Sequence, residues 1–237
     1  MKYLTSYYWQ QEEPAATSLV LQHFVYRKGR QPGIFACICT VSSWKEGGSN
    51  VSNAYFAERL TCWFQEEGRA LFRMDHSELF TKTRERLEQV ISQIDKDLMN
   101  HAVLAGQDGS PTLDIVGLLG MGERFLLFFR GEQKGYLLNK RFEHVHCKCL
   151  TESEEKGKLH MISGEMEKGI GVLLVTKEFP ENLSVRQMEE CLSVKELEKT
   201  ENVRGRLREL GEEAVRQGGH HLGAVLLLTG KGGNYGE

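Results

Sequence analysis

Aspartate is the residue type that this sequence lacks most conspicuously. The chain has 237 residues and many glutamates, yet aspartate occurs at only five positions. These are Asp75, Asp95, Asp97, Asp108 and Asp114. Residues 1–74 and 115–237 contain none, which disfavours any site in those stretches that needs several converging aspartates.

Signals for membranes, secretion and nucleic acids are also missing. No apolar run approaches the roughly 20 residues that cross a bilayer, and the N-terminal MKYLTSYYWQQEEP has no apolar core of a signal peptide. The formal net charge is -3, and the arginines at 204–208 are balanced by Glu209, Glu212 and Glu213, so no nucleic-acid partner is expected. Six scattered cysteines form no disulfide framework. A cytoplasmic location is predicted.

Several catalytic and metal-binding motifs are absent. There is no G-x-S-x-G elbow, no phosphate-binding loop and no H-E-x-x-H. HVHCKC at 144–149 alternates histidine and cysteine, so a strand would send the two residue types to opposite faces. A single strand of this kind cannot gather four zinc ligands. We interpret these residues as ordinary strand residues, and Cys37 and Cys39 as small core residues.

Apolar periodicity predicts an α+β chain. Strands are expected at 17–27, 33–41, 159–163, 171–176 and 224–228, with a β-meander at 112–119, 124–130 and 135–139. Helices are expected at 52–67, 77–104, 184–192 and 200–217. Residues 1–229 are predicted to form one domain and residues 230–237 a flexible glycine-rich tail.

This order and several local phrases resemble the metal-dependent protein phosphatases, the PPM or protein phosphatase 2C-like family. GIFACICTVSSWKEGGSNVSNAYFAERL keeps a strand, a glycine pair and a helix, FFRGEQKGYLL keeps Gly131, and VLLVTKEFPENLS keeps Thr176 and the Leu183-Ser184 helix start. The resemblance implies a central antiparallel β-sandwich flanked by helix pairs, a four-layer αββα arrangement.

The reactive residues of the family's motifs are replaced. The family places metal-binding acidic residues and a phosphate-binding arginine where this chain has other side chains, and WQQEEP near the N-terminus contains no arginine. The degenerate positions are Thr40, Glu132, Lys177, Glu178, His220 and His221.

The resemblance implies phosphomonoester hydrolysis by two Mg²⁺ or Mn²⁺ ions that activate a bridging water. Lys177 at a ligand position removes an oxygen and adds a positive charge. At ~4 Å and an effective dielectric of ~20, that repulsion is about 4 kcal/mol per unit of ion charge. We therefore predict no catalytic residues, no metal and no cofactor.

The predicted function is that of a pseudophosphatase, which binds a protein such as a Ser/Thr kinase or phosphoprotein. Two alternatives stay open. One is a weak, divergent Mg²⁺- or Mn²⁺-dependent Ser/Thr phosphatase, and the other is a structural subunit of a larger assembly. The weak phosphatase would use glutamates, namely Glu12, Glu46, Glu132 and Glu178. Trp9, Trp44 and Phe179 are expected near the degenerate site, where exposed aromatics would form a protein-binding surface, and core roles for one or two of them fit equally well.

Overall fold

The structure, a computed structural model, describes residues 2–10, 17–26, 31–42, 49–68, 76–104, 111–122, 124–141, 144–152, 157–165, 171–192 and 200–230. The strands are β1 (Lys2–Gln10), β2 (Thr17–Tyr26), β3 (Gln31–Ser42), β4 (Thr112–Met121), β5 (Arg124–Arg130), β6 (Lys134–Arg141), β7 (His144–Cys149), β8 (His160–Glu165), β9 (Gly171–Val175) and β10 (Leu222–Gly230). The helices are α1 (Ser49–Trp63), continued by a π-helical turn at Phe64–Gly68, α2 (His76–Leu104), α3 (Glu178–Asn182), α4 (Val185–Cys191) and α5 (Thr200–Arg216).

The strands form two antiparallel sheets. Sheet I has the order β1-β10-β9-β6-β7, and sheet II has the order β2-β3-β4-β5-β8. The pairing of β3 with β4 sets Thr40 opposite Asp114. The pairing of β6 with β9 sets Lys134 opposite Val175. These registers bring the carboxyl ends of β3, β5 and β9 to one end of the molecule.

Three apolar clusters hold four layers together. Between the sheets lie alternate residues of both, including Ile38, Val116 and Leu127 of sheet II and Leu174 and Val225 of sheet I. The outer face of sheet II packs on α1 and α2, and the outer face of sheet I packs on the remaining helices. Because nearly all of these side chains are buried, the hydrophobic effect favours both helix layers.

Helical spacing explains why α2 and α5 lie flat on their sheets. Along α2 the buried positions are Leu87, Ile91, Ile94 and Leu98, and along α5 they are Val203, Leu207, Leu210 and Ala214. These residues recur every three or four positions, which gives each helix one apolar stripe. The start of α4 is fixed by Ser184, whose side chain and Gln187 form a reciprocal capping box.

The α+β sandwich is confirmed, but the predicted β-meander is wrong. β4 and β5 are paired in sheet II, whereas β6 lies in sheet I between β9 and β7. The chain crosses between sheets in three residues, 131–133, where Gly131 adopts a positive φ of 81°. Periodicity identifies a strand but not the sheet to which it belongs. Two elements were not predicted at all, β1 and the short helix α3.

The cysteine interpretation is confirmed. Cys37 and Cys39 are fully buried in the core between sheet II and its helices. On β7, Cys147 and Cys149 pack towards the core of sheet I, while His146 is exposed on the other face. In the part of the chain that the structure describes, no helix is long and apolar enough to span a membrane. The predicted tail lies beyond the described residues, apart from Gly230 at the end of β10.

Candidate functional site

Gln133 joins the two sheets at the end where β3 and β9 finish. Its side-chain amide nitrogen donates to the Thr40 Oγ1 on sheet II at 2.9 Å, and its amide oxygen accepts the Lys177 backbone N–H on sheet I at 3.0 Å. Gln133 is only 2% exposed. A buried amide with both of its ends bonded fixes the separation of the two strand ends.

Lys177 lies directly beside this bridge and forms an ion pair. Its Nζ donates to Glu132 Oε2 at 3.1 Å, with the two side chains 47% and 55% exposed. The hydrogen bond from Lys177 to Glu132 raises the pKa of the lysine above its ordinary value. The ammonium therefore stays charged at neutral pH, in contact with the carboxylate at the neighbouring degenerate position.

Glu178 binds the loop that precedes β10. Its Oε2 accepts the backbone N–H groups of His220 at 2.7 Å and of His221 at 2.9 Å. Next to it, the buried Thr176 accepts the Gly223 N–H through Oγ1 at 3.1 Å. The structure therefore brings Glu178 together with both histidines, through backbone groups. The Nδ1 of His221 is buried and has no hydrogen-bond partner among the described residues.

Arg130 forms the far wall of the same region. Its two terminal nitrogens each donate to one oxygen of Asp95 on α2, both at 2.6 Å, and its Nε donates to the Leu113 carbonyl at 3.1 Å. The Arg130 side chain is 12% exposed. This bidentate pair ties α2 to the edge of the site.

A cleft of about 770 Å³ lies beside Arg130, Glu132 and Lys177. Leu98, Met99, Pro111 and Phe129 give it an apolar wall, and Asp114, Glu132, Lys134 and Lys177 are among its polar lining residues. His160 also lines the cleft and stacks on Phe129, with ring centroids 5.2 Å apart. The lining is therefore mixed, with charged side chains opposite an apolar wall.

Asp114 is a site residue that the sequence analysis missed. It is half-buried on β4, and its pKa is raised by burial and then by the Glu132 charge, although Lys177, Arg130 and the Glu132 N–H act in the opposite direction. Gly131 packs directly on it, since a Cβ there would overlap the carboxylate. The available signal was a charged residue inside the apolar run TLDIVGLLG, opposite Thr40 in the sheet.

The expected aromatic surface needs correction. Phe179 is fully buried, because the helical turn that follows β9 directs its ring into the core beneath α5. Trp9 is half-buried and packs on Gly223 of the neighbouring strand. Trp44 lies outside the described residues, as do Glu12 and Glu46. A binding role for Trp9 and Trp44 stays a prediction.

The residues present do not fit the two-metal centre that the resemblance implies. Divalent Mg²⁺ and Mn²⁺ need several converging oxygens. Within the described ranges, no three His, Cys, Asp or Glu side chains lie together as a metal-binding group. Glu178 and Glu132 are engaged by backbone amides and by Lys177 respectively. Rescue by these two glutamates would require breaking those contacts.

The solved structures that resemble this chain include several serine/threonine phosphatases. The serine/threonine phosphatase Stp1 from Staphylococcus aureus matches with a TM-score of 0.73 at 11% identity, over 98% of this chain and 96% of that one. The Mycobacterium tuberculosis phosphatase PstP matches with a TM-score of 0.65 at 12% identity, over 96% and 98%. A PstP catalytic domain in complex with two manganese ions matches with 0.62 at 13%, over 95% and 98%.

These likenesses show the fold. The chain has the two-sheet α+β architecture of PPM-type Ser/Thr phosphatases. At 11–13% identity they do not transfer an activity. No protein-family model matches the chain, and no curated protein is significantly similar in sequence.

Proposed function

We propose that this chain is a catalytically inactive PPM-type phosphatase-like protein that acts by binding a protein partner. The supporting observation is that the polar groups at the degenerate positions are bonded to one another. Lys177 pairs with Glu132, Gln133 bridges Thr40 and the Lys177 backbone, and Glu178 holds the loop before β10.

These contacts oppose metal-dependent hydrolysis. A divalent ion near Glu132 would face the Lys177 ammonium, and an ion near Glu178 would compete with two backbone N–H donors. Without a bound ion the site has no means of lowering the pKa of an attacking water or of neutralising a phosphoryl group. The fold is retained, and the chemistry of this end becomes that of a binding surface.

The partner class follows from the neighbours of the fold. The structures that match are serine/threonine phosphatases, which favours a partner from the same signalling chemistry, a Ser/Thr kinase or a phosphoprotein. A cytoplasmic location accompanies this proposal. The protein would recognise or shield its partner without hydrolysing it.

Turnover and metal binding measured together test the proposal. The purified chain is assayed with p-nitrophenyl phosphate and a phosphothreonine peptide, with and without Mn²⁺ or Mg²⁺, and Stp1 from Staphylococcus aureus serves as the parallel enzyme. Calorimetry on the same preparation measures Mn²⁺ binding. We expect no metal-dependent turnover and no saturable binding at micromolar Mn²⁺. Micromolar binding with Mn²⁺-dependent turnover would overturn the proposal in favour of a divergent phosphatase.

A restoring double substitution tests how far the site has degenerated. Lys177→Asp together with His220→Asp returns two carboxylates and removes the ammonium. We expect the variant to remain inactive, because the other four degenerate positions are still occupied by Thr40, Glu132, Glu178 and His221. Activity in this variant would show that the remaining ligands are already sufficient.

A further inference from the structure

Asp114 differs from the other two carboxylates of the cleft, Asp95 and Glu132, which each form an ion pair. Its carboxylate accepts the Glu132 backbone N–H. Among the described residues no Lys, Arg or His side chain lies within ion-pair distance of it. Burial and the Glu132 charge raise its pKa, and the charges of Lys177 and Arg130, which lie beyond ion-pair distance, offset this only in part.

The cations of the cleft are largely committed elsewhere. Arg130 directs both terminal nitrogens to Asp95, and Lys177 directs its ammonium to Glu132. In the described part of the chain, the basic lining residues outside these two pairs are Lys134 and His160. One ammonium does not balance a phosphate dianion beside the carboxylates of Asp114 and Glu132. The cleft is therefore a poor phosphate site.

The shape of the cleft suits a long side chain with a cationic end. Leu98, Met99 and Pro111 offer apolar surface for a methylene stem. Met99 is 39% exposed, so the wall is open to a ligand arriving from solvent. Lysine and arginine combine a flexible apolar stem with a charged head, and arginine forms strong charge-assisted hydrogen bonds to carboxylates.

We propose that this cleft binds a lysine or arginine side chain of the protein partner, with the Asp114 carboxylate as its acceptor. The proposal rests on the proposed binding function. It reverses the sign of the charge that is recognised, because a site with the phosphatase fold takes a cation instead of a phosphate. The partner is thus recognised by a basic residue.

Small probes test this directly. Isotopically labelled protein is titrated with N-acetyl-arginine amide, with the isosteric but uncharged N-acetyl-citrulline amide, and with N-acetyl-phosphoserine amide. Nuclear magnetic resonance follows the backbone amides of Gly131 and Glu132, which lie against Asp114. We expect saturable shifts with the arginine probe, at least roughly tenfold weaker binding of the citrulline probe, and no saturable effect of the phosphoserine probe.

A pair of variants assigns the effect to Asp114. Asp114→Asn should weaken binding of the arginine probe roughly tenfold. The matched variant Glu165→Gln removes a carboxylate at the opposite end of the same sheet, where Glu165 pairs with Arg124, and should leave binding unchanged. Unaltered binding in Asp114→Asn, or shifts caused by phosphoserine amide and not by arginine amide, would overturn the inference. Its failure is distinguishable from that of the proposed function, which would appear as Mn²⁺-dependent turnover.

Discussion

The polar residues at this end of the molecule form two parts, which differ in how completely their side chains are bonded. In the first part, the side chains of Gln133 and Glu178 are each bonded to backbone groups or to a neighbouring side chain. In the second part, the Asp114 carboxylate faces the cleft and forms no ion pair with any of the described residues. The first part is bonded like the interior of a stable protein, whereas the second has the unpaired charge that is common in binding sites. This contrast is the reason for proposing a binding site at Asp114, beside the degenerate positions.

The largest expected effect comes from breaking the bridge in the first part. Gln133→Leu keeps the bulk but leaves the Thr40 hydroxyl and the Lys177 N–H without their bonds to the amide. We expect a loss of about 3 kcal/mol in the free energy of unfolding, measured by urea denaturation. Gln93→Leu, the same change on the exposed face of α2, should cost less than about 0.5 kcal/mol. Equal losses would show that Gln133 is not an inter-sheet bridge.

A smaller loss is expected when the loop before β10 is released. Glu178→Ala removes the acceptor of the His220 and His221 N–H groups, which should cost about 1–2 kcal/mol. Hydrogen exchange at these two amides should accelerate more than at the rest of the loop. Glu181→Ala changes an exposed carboxylate in the same short helix and provides the control. If both variants exchange alike, Glu178 does not hold the loop.

In the second part, a substitution at Asp114 should stabilise the protein, whereas substitutions in the first part destabilise it. The pKa of Asp114 is raised in the folded protein, so its stabilising contribution is present at low pH and is lost as pH rises through the folded-state pKa. Asp114→Asn removes the cost of ionisation and should stabilise the protein at pH 7 by less than about 1 kcal/mol. The gain should disappear below about pH 4, where an ordinary aspartate is protonated. A gain that is independent of pH would contradict this account.

The exposed ion pair should matter least for stability. Lys177→Met removes the bond to Glu132, and because both side chains are about half exposed the cost should be about 0.5 kcal/mol or less. A double-mutant cycle with Glu132→Gln isolates the pair, and its coupling should shrink in 1 M salt. A coupling free energy above about 2 kcal/mol would show that this ion pair contributes as much to stability as the buried contacts do.

The sequence predicted the layers better than the site. Apolar spacing was enough for α2, because Leu87, Ile91 and Ile94 lie on one face whatever they contact. It could not show that β6 leaves sheet II, since an alternating strand fits either sheet equally well.

The site shows the same limit at the level of single residues. The resemblance indicated that Lys177 and Glu132 stand at degenerate positions, and the structure joins them in one ion pair. It did not predict the cross-sheet bridge of Gln133 or a role for Asp114, because both depend on cross-sheet geometry and on strand register. Phe179 was misplaced because a helix one turn long leaves too weak a periodic signal to show that its ring points inward.

The pairing of the first described strand with the last one has a consequence for how the chain is made. β1 hydrogen-bonds only to β10 within sheet I, with Tyr7 opposite Val225. On the ribosome, β1 is therefore synthesised long before its partner exists, whereas β2 and β3 can pair almost at once. Sheet II can assemble early, whereas sheet I closes only after residues 222–230 have been synthesised. Until then β1 lacks the strand with which it pairs, and unpaired strand edges favour aggregation.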